Sequence, residues 1–226
     1  HIRFRQDRGY RILRCTACGL RFLAPQPTAA QLEALYAEHY FQNDDSVSSG
    51  YDSYAEESAN WRATFRDRLE HLPRPQPGQR LLDVGAAAGY FGEQARAVGW
   101  DGEGVEPSRW AASFARDQLR QPVRETTLEA AGYATASFDV VTLWEVIEHL
   151  PNPLQFLRSL AAIDRLRGCT LIITTPNATA VHNVAIGLLS RESTHHDHLC
   201  ILSYKTLNTL CRRAGFANWQ IVPYHA

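Results

Sequence analysis

Apolar positions change their spacing along the chain. From residue 80 onward, short apolar runs predict strands at 81–84, 102–105, 123–125, 138–143 and 170–174. Between them, apolar residues at helical spacing predict helices at 91–98, 109–119 and 153–166. This regular alternation is typical of a doubly wound α/β fold with a mainly parallel sheet. After it we expect a helix at 204–214 and a strand at 219–222.

The amino-terminal part has a different pattern. Alternating apolar residues around Cys15-Thr-Ala-Cys18-Gly19 predict a small hairpin. A capping-box pair, Thr28 and Gln31, starts a helix that ends near Tyr40, and a second helix is predicted at 54–72. We therefore expect a hairpin at 1–27, a helical lid at 28–78 and a main domain at 79–226. Residues 175–203 are expected to form an insertion on the substrate side of that domain.

Composition narrows the range of partners. The formal charge of −1 over 226 residues provides no global positive field, so long nucleic acid is not expected, although a short RNA end stays open. No apolar run approaches the roughly 20 residues that span a bilayer, so we expect a cytoplasmic protein without membrane contact. Five cysteines do not form a disulfide pattern, and the close pair Cys15 and Cys18 suits a metal better. The lack of methionine suggests that the native chain starts before His1.

One strand-turn-helix segment predicts a nucleotide site. Asp83 lies near the end of a predicted strand, Gly85 and Gly89 bound a turn of small residues, and the following helix offers backbone amides at its positive end. Glu106 follows the next strand, about 20 residues after the turn, where a carboxylate accepts hydrogen bonds from ribose hydroxyls. Asp83 would repel a pyrophosphate but could orient an amino group. The pattern therefore favours S-adenosylmethionine over NAD.

Four motifs in order carry a resemblance: D-V-G-A-A-A-G-Y-F from Asp83, G-V-E-P-S from Gly104, S-F-D-V-V from Ser137 and E-V-I-E-H-L-P-N-P from Glu145. Over about residues 80–215 the chain resembles the class I, Rossmann-like S-adenosylmethionine-dependent methyltransferases of types 11 and 23. The resemblance implies S-adenosylhomocysteine as a product. It also implies that the cofactor contacts Asp83, Gly85, Ala86, Ala87, Gly89, Tyr90, Phe91, Glu106, Pro107, Ser108, Thr127, Leu128 and Trp144.

A second set of residues resembles the metal site of two groups of methyltransferases. Small-RNA 3′-terminal 2′-O-methyltransferases and polyprenyl-quinone O-methyltransferases share a Glu-x-x-Glu-His motif and a later histidine. By this resemblance, the ligands are Glu145, Glu148, His149 and His198. Two carboxylates and two imidazoles suit Mn, Fe, Co or Zn at least as well as Mg. Without a metal, His149, Glu145 and His195 are the candidate catalytic groups, with a histidine as general base.

These features predict methylation of a small-molecule hydroxyl. Methyl transfer to carbon or nitrogen without a metal is an alternative, and so is a noncatalytic module that recruits a partner through its amino-terminal arm. The Cys15-x-x-Cys18-Gly19 segment resembles the second half of a zinc ribbon found ahead of some methyltransferase domains. A structural zinc there would need further ligands upstream of His1, and the alternative is a turn with two inert thiols. The sequence leaves the oligomeric state open.

Overall fold

The computed structural model describes residues 11–28, 30–32, 57–134, 137–164, 169–177 and 198–222. The strands are β1 (Arg11–Arg14), β2 (Arg21–Ala24), β3 (Arg80–Val84), β4 (Asp101–Glu106), β5 (Val123–Glu125), β6 (Val140–Trp144), β7 (Thr170–Thr174) and β8 (Cys200–Ile201). The helices are α1 (Ser58–Glu70), α2 (Tyr90–Ala97), α3 (Arg109–Asp117), α4 (Leu128–Ala131), α5 (Pro153–Asp164) and α6 (Tyr204–Ala214). A 3-10 turn covers Ile147–His149. None of the helices in these ranges is long and apolar enough to cross a bilayer.

The chain divides into two compact units. The sheet unit consists of Ala29–Trp144 and Ile163–Ile173, and the hairpin unit consists of His1–Thr28, Glu145–Ala162 and Thr174–His225. Each unit is therefore discontinuous in sequence.

The sheet unit is built on five strands in the order β5-β4-β3-β6-β7. Strand β3 pairs in parallel with β4 and with β6, and β4 pairs in parallel with β5. The chain first runs outward from β3 through β4 to β5, then returns to the other side of β3 for β6. In doubly wound sheets, ligands bind beyond the carboxyl ends of the strands where the order reverses. The predicted doubly wound fold is confirmed, and its reversal point lies between β3 and β6.

Helix α1 packs on α2 within the sheet unit. The guanidinium of Arg62 donates two hydrogen bonds to the carboxylate of Glu93, at 2.6 and 3.0 Å. Phe65 meets Phe91 edge to face, with ring centroids 5.6 Å apart. Both phenylalanines are buried, so this contact extends the core from the sheet to the amino-terminal helix.

The hairpin unit contains a smaller antiparallel sheet in the order β1-β2-β8. Strand β2 pairs with β1 on one side and with β8 on the other, with Phe22 opposite Cys200. The predicted hairpin is present. Its third strand, which comes from the end of the predicted insertion, was not expected from the pattern.

Two sequence predictions differ from the structure. Residues 219–222 form no strand, because the indole of Trp219 turns back to donate to Oδ1 of Asn208 at 2.7 Å and Val222 remains exposed. The fourth strand of the main sheet begins at Val140 rather than at residue 138. Of the helix predicted to end near Tyr40, the structure describes residues 30–32, which are helical. The other residues of that predicted helix from 33 onward lie outside the described residues.

Candidate functional site

The turn after β3 contains three residues with positive φ: Gly85 at 73°, Ala87 at 46° and Gly89 at 84°. The amides of Gly85 and Ala86 both donate to the carbonyl of Val105, at 2.9 and 3.1 Å. These bonds tie the turn to the end of β4. A non-glycine residue at positive φ costs free energy, and such strain is concentrated at ligand sites.

Gly89 is required by the packing of two helices. A Cβ atom at this position would lie 2.8 Å from Cβ of Ala115 on α3. The lack of a side chain therefore allows α2 to begin against α3. In dinucleotide-binding turns the last glycine likewise allows close packing of the following helix, there against a strand.

Glu106 is the central carboxylate of the sheet unit. It ends β4, is 6% exposed, and accepts two backbone hydrogen bonds, Oε2 from Ala87 at 3.0 Å and Oε1 from Ser108 at 2.8 Å. Burial raises the pKa of Glu106 to about 7, against the lowering effect of those two bonds. Each carboxylate oxygen can accept more than one hydrogen bond, so both retain capacity for a ligand hydroxyl.

Asp83 lies at the reversal point of the sheet. Thr142, directly opposite in β6, donates from Oγ1 to Oδ1 of Asp83 at 2.8 Å. Burial, together with the charge of Glu106, raises the pKa of Asp83 to about 7, against the lowering effects of the Thr142 hydrogen bond and the charge of Arg68. Two buried carboxylates with raised pKa values at one sheet edge are typical of a functional site.

Two polar atoms at predicted cofactor positions are buried without a hydrogen-bond partner in the described part of the chain. They are Nε1 of Trp144 and Oγ of Ser108. The Trp144 ring meets Phe91 edge to face at 5.0 Å, and the guanidinium of Arg68 lies 5.1 Å from its centroid. A buried polar group without a partner costs free energy unless a ligand or water satisfies it. These atoms fit the requirements of a polar ligand such as S-adenosylmethionine.

The other predicted cofactor residues have varied environments. Tyr90, Phe91, Ala86 and Leu128 are buried, whereas Pro107 is exposed. Thr127 accepts a hydrogen bond from the Ala130 amide at 3.2 Å and caps α4. Tyr90 and Phe91 belong to the main hydrophobic core, so packing alone accounts for their burial.

A group of residues that could together hold a metal ion lies in the hairpin unit. One ligand atom each from Glu148, His149 and His198 lies within 4.8 Å of the other two. The two imidazole rings are 4.9 Å apart at an angle of 79°. The 3-10 turn Ile147–His149 presents the first two residues, and His198 precedes β8.

Glu148 is completely enclosed. Its Oε2 accepts a hydrogen bond from the hydroxyl of Thr175 at 3.0 Å, whereas Oε1 is buried with no partner among the described residues. Burial, and then the charge of Glu145, raise the pKa of Glu148 well above its usual range. An enclosed carboxylate oxygen beside two imidazoles fits a divalent metal, and one carboxylate with two imidazoles suits Mn, Fe, Co or Zn.

Glu145 is not among the three residues whose ligand atoms all lie within 4.8 Å of one another, although its side chain interacts with that of Glu148. It adopts φ 53°, and its amide donates to Oγ1 of Thr174 at 3.2 Å. The sequence hypothesis placed Glu145, Glu148 and His149 on one helical face. The turn instead begins at Ile147, so that spacing rule does not apply to Glu145. His195, the remaining catalytic candidate, lies outside the described residues.

Sequence reasoning missed three polar residues of these sites: Arg68, Thr142 and Thr175. Arg68 follows Phe65 by three positions, and this helical spacing would have placed it on the inner face of α1. Thr142 is the one polar residue in an otherwise apolar run, which is a signal for a buried hydrogen bond. No spacing rule in the sequence identifies Thr175 as a partner of Glu148.

The family model and the related proteins both indicate a methyltransferase family. A family model described as a methyltransferase domain matches residues 51–221. The chain is 31% identical over 159 residues to a protein named ubiquinone biosynthesis O-methyltransferase from Ruegeria pomeroyi, covering 66% of this chain and 64% of that protein. A protein of the same name from Thiobacillus denitrificans is 30% identical over 154 residues, covering 62% and 66%. The chain thus spans less than two thirds of the first relative's length.

Solved structures show the same fold. A SAM-dependent methyltransferase from Archaeoglobus fulgidus aligns with TM-score 0.56 and 18% identity, covering 74% of this chain and 76% of that one. A Thermotoga maritima structure described as a possible histamine N-methyltransferase aligns with TM-score 0.56 and 20% identity, covering 73% and 76%. At these identities, the similarity concerns the fold alone.

Proposed function

The chain belongs to the S-adenosylmethionine-dependent methyltransferase family, and on that premise we propose that it methylates a hydroxyl oxygen of a small-molecule acceptor. The observation that carries the cofactor part is the buried carboxylate of Glu106 at the carboxyl edge of the parallel sheet. The oxygen acceptor is supported by the names of the relatives and by the Glu148, His149 and His198 group.

The cofactor would be gripped at both of its ends. Glu106, fixed by the amides of Ala87 and Ser108, would accept hydrogen bonds from the two ribose hydroxyls. Asp83, fixed by Thr142, would attract the amino group of the methionine moiety. Because these carboxylates are already oriented before the ligand arrives, little free energy is spent on ordering them.

Arg68 would bind the carboxylate of the cofactor's methionine moiety. Its guanidinium is buried, and its charge lowers the pKa of Asp83, so it lies within electrostatic range of that carboxylate. A methionine moiety carries both an ammonium and a carboxylate, and a guanidinium is well suited to a carboxylate. We therefore assign the cofactor carboxylate to Arg68.

A ligand comparison tests this role. The parent chain is expected to bind S-adenosylmethionine about 10- to 100-fold more tightly than its decarboxylated analogue, since a hydrogen bond to a charged group contributes about 1.5–3 kcal/mol. Arg68→Met should remove this preference, whereas Arg66→Met, on an exposed position of the same helix, should retain it. Calorimetry with both ligands measures the ratio. An unchanged preference in Arg68→Met would assign the carboxylate to another group.

The acceptor would be activated by the histidine group of the hairpin unit. A bound divalent ion would supply Lewis acidity that lowers the pKa of the acceptor hydroxyl. Glu148, His149 and His198 would hold that ion, and Thr175 would orient Glu148 through its hydroxyl. In the absence of an ion, an imidazole of the pair could remove the proton itself. In the sequence, the segment from Glu145 to His149, which includes two of these residues, directly follows the end of β6 at Trp144.

Product analysis tests the reaction type. The full chain is incubated with methyl-labelled S-adenosylmethionine and a panel of phenols and catechols. We expect a methyl ether and one S-adenosylhomocysteine for each ether formed, with no product from the matching methyl-capped acceptors. Label on carbon or nitrogen would contradict the oxygen acceptor, while leaving the cofactor assignment intact.

A further inference from the structure

One face of the small sheet β1-β2-β8 is directed at the 3-10 turn Ile147–His149. The thiol of Cys200 in β8 donates to the carbonyl of Ile147 at 3.4 Å, so the Cys200 side chain faces this turn. Side chains alternate between the two faces of a strand, which assigns His198, two residues earlier, to the same face. The imidazoles of His198 and His149 are 4.9 Å apart, in agreement with this assignment.

The strand register adds one arginine to this face. Residues directly opposite each other in neighbouring strands have their side chains on the same face of the sheet. Phe22 lies opposite Cys200 on one side and opposite Leu13 on the other, so these three residues share a face. Two positions along the hairpin from this row, Arg11 lies opposite Ala24 and is on the same face.

Arg11 and His198 belong to one row across the sheet. The amide of Leu23 donates to the Leu199 carbonyl at 2.9 Å, which continues the pairing beyond β8 and sets Ala24 opposite His198. Neighbouring strands are about 4.8 Å apart, so roughly 10 Å separates the backbones of Arg11 and His198. The residue between them is Ala24, whose side chain is a single methyl group. A small acceptor held at His198 and a long arginine side chain together bridge this distance.

The charge of Arg11 is not paired by any described residue. Arg11 is exposed, and no hydrogen bond or ion pair joins it to another residue in the part of the chain that the structure describes. Residues 11–28 contain three arginines and no acidic residue. A guanidinium presents donors in a planar fork that matches the two oxygens of a carboxylate or phosphate. Arg11 therefore has the chemistry to bind an oxyanion.

We propose that Arg11 is a specificity residue of the acceptor site and binds an oxyanion, a carboxylate or a phosphate, carried by the methyl acceptor. This inference rests on the proposed function and narrows its acceptor to a hydroxyl compound with a negative charge. The group of Glu148, His149 and His198 would act on the hydroxyl, while Arg11 would bind the other end of the same molecule. Arg11 takes no part in the methyl transfer itself.

Protection of a sheet edge is the competing explanation for Arg11. Strand β1 is at the edge of its sheet, and charged side chains on edge strands prevent pairing with another chain. That role requires only an exposed charge, and Arg14 at the other end of β1 meets this requirement equally. Arg14 lies opposite Arg21, on the face directed away from the turn. The two exposed arginines of β1 therefore form a matched pair for experiment.

Binding measurements on the full chain test the proposal without requiring turnover. The probes are 3,4-dihydroxyphenylacetate, its neutral amide and (3,4-dihydroxybenzyl)phosphonate, titrated by calorimetry with S-adenosylhomocysteine and manganese present at low salt. We expect the parent to bind an anionic probe about fivefold or more tightly than the amide. Arg11→Met should remove this preference, whereas Arg14→Met should retain it. The carboxylate and phosphonate probes distinguish the two oxyanions.

A charge exchange separates a specific role from general damage to the fold. Arg11→Glu should bind 3,4-dihydroxybenzylamine more tightly than the acid, which reverses the order expected for the parent. Equal affinity for acid and amide in the parent would overturn the proposal, and so would a preference that survives Arg11→Met.

The same probes distinguish this proposal from the proposed reaction. A preference for the anionic probes that depends on Arg11, without formation of a methyl ether, would support the role of Arg11 and contradict the oxygen acceptor. Formation of a methyl ether without any such preference would support the oxygen acceptor and overturn the role of Arg11.

Discussion

Glu106→Ala is expected to weaken S-adenosylmethionine binding by about 100-fold or more. Two hydrogen bonds from ribose hydroxyls to a charged carboxylate would be lost, and each contributes about 1.5–3 kcal/mol. The substitution also releases the amides of Ala87 and Ser108, which are fixed by this carboxylate. Isothermal titration calorimetry with S-adenosylmethionine and S-adenosylhomocysteine measures the change for both ligands.

The matched control is Glu103→Gln. This residue lies on the same strand β4, but its carboxylate forms a partly exposed ion pair with Arg80 at 2.7 Å. We expect this variant to retain the cofactor affinity of the parent, because exposed ion pairs contribute little. Glu106→Gln, which preserves size but removes the charge, should have intermediate affinity. Parent-like affinity in a folded Glu106→Ala chain would remove this carboxylate from the cofactor site.

The affinity should also depend on pH. Burial raises the pKa of both Asp83 and Glu106 to about 7 in the cofactor-free chain. Only the ionised carboxylates attract the ammonium and accept both ribose bonds, so the affinity should rise as the pH increases through 7 and then level off. The effect on the unliganded fold is opposite. The folded chain retains protons that the unfolded chain releases near pH 4, so stability should fall as the pH rises from about 4 through 7.

Turnover, rather than cofactor affinity, should respond to changes in the histidine group. His149→Ala is expected to lower kcat by about 100-fold or more, since acid–base or metal activation of a hydroxyl contributes about 10²- to 10⁴-fold. Removal of divalent ions with a chelator should abolish turnover in the parent chain. The dissociation constant for S-adenosylhomocysteine should change less than about twofold in both cases, because the proposed cofactor contacts lie on other residues. Steady-state kinetics and calorimetry on the same samples separate the two quantities.

His71→Ala is the control for this substitution. His71 is an exposed residue after the end of α1, and its loss should leave kcat unchanged. Readdition of manganese, zinc or cobalt to the chelated parent should restore turnover and identify the preferred ion. Full turnover in excess chelator, together with a reduced kcat in His149→Ala, would favour an imidazole base without a metal. Parent-like turnover in His149→Ala would exclude both roles.

The family and the doubly wound fold could be predicted from the sequence because the carboxyl ends of the strands carry the characteristic polar side chains. Asp83 and Glu106 each lie at the carboxyl end of a predicted strand, and parallel strands bring their carboxyl ends to one edge of the sheet. The order of the motifs along the chain also indicates how they are related in the fold. The same reasoning predicted most strands to within two residues, since continuous apolar runs are typical of buried parallel strands.

Other features depend on contacts that a linear pattern does not contain. The role of Gly89 follows from the position of Ala115, a residue on another helix. The position of Arg68 depends on the packing of α1 against α2. Helix α1 precedes all four motifs in the sequence, so the motifs do not predict this contact. The third strand of the small sheet pairs residues almost 180 positions apart, with Phe22 opposite Cys200. Short strands of this kind are determined by long-range pairing rather than local propensity.

The candidate metal ligands show the limit of a spacing rule. Positions i, i+3 and i+4 share a face only within a helix, and here the segment starts with Glu145 at positive φ before a short 3-10 turn. The close group is consequently Glu148, His149 and His198, while Glu145 acts on Glu148 through its charge. His198 could be proposed only by resemblance, because it lies almost 50 residues further along the chain.

A crystal structure of the chain with S-adenosylhomocysteine provides the most direct test of the cofactor site. We expect the ribose hydroxyls to lie within hydrogen-bonding distance of both Glu106 oxygens, beyond the carboxyl ends of β3 and β4. The methionine amino group should lie beside Asp83. A nucleoside bound elsewhere, with the Glu106 carboxylate contacting only the amides of Ala87 and Ser108, would contradict the proposed site.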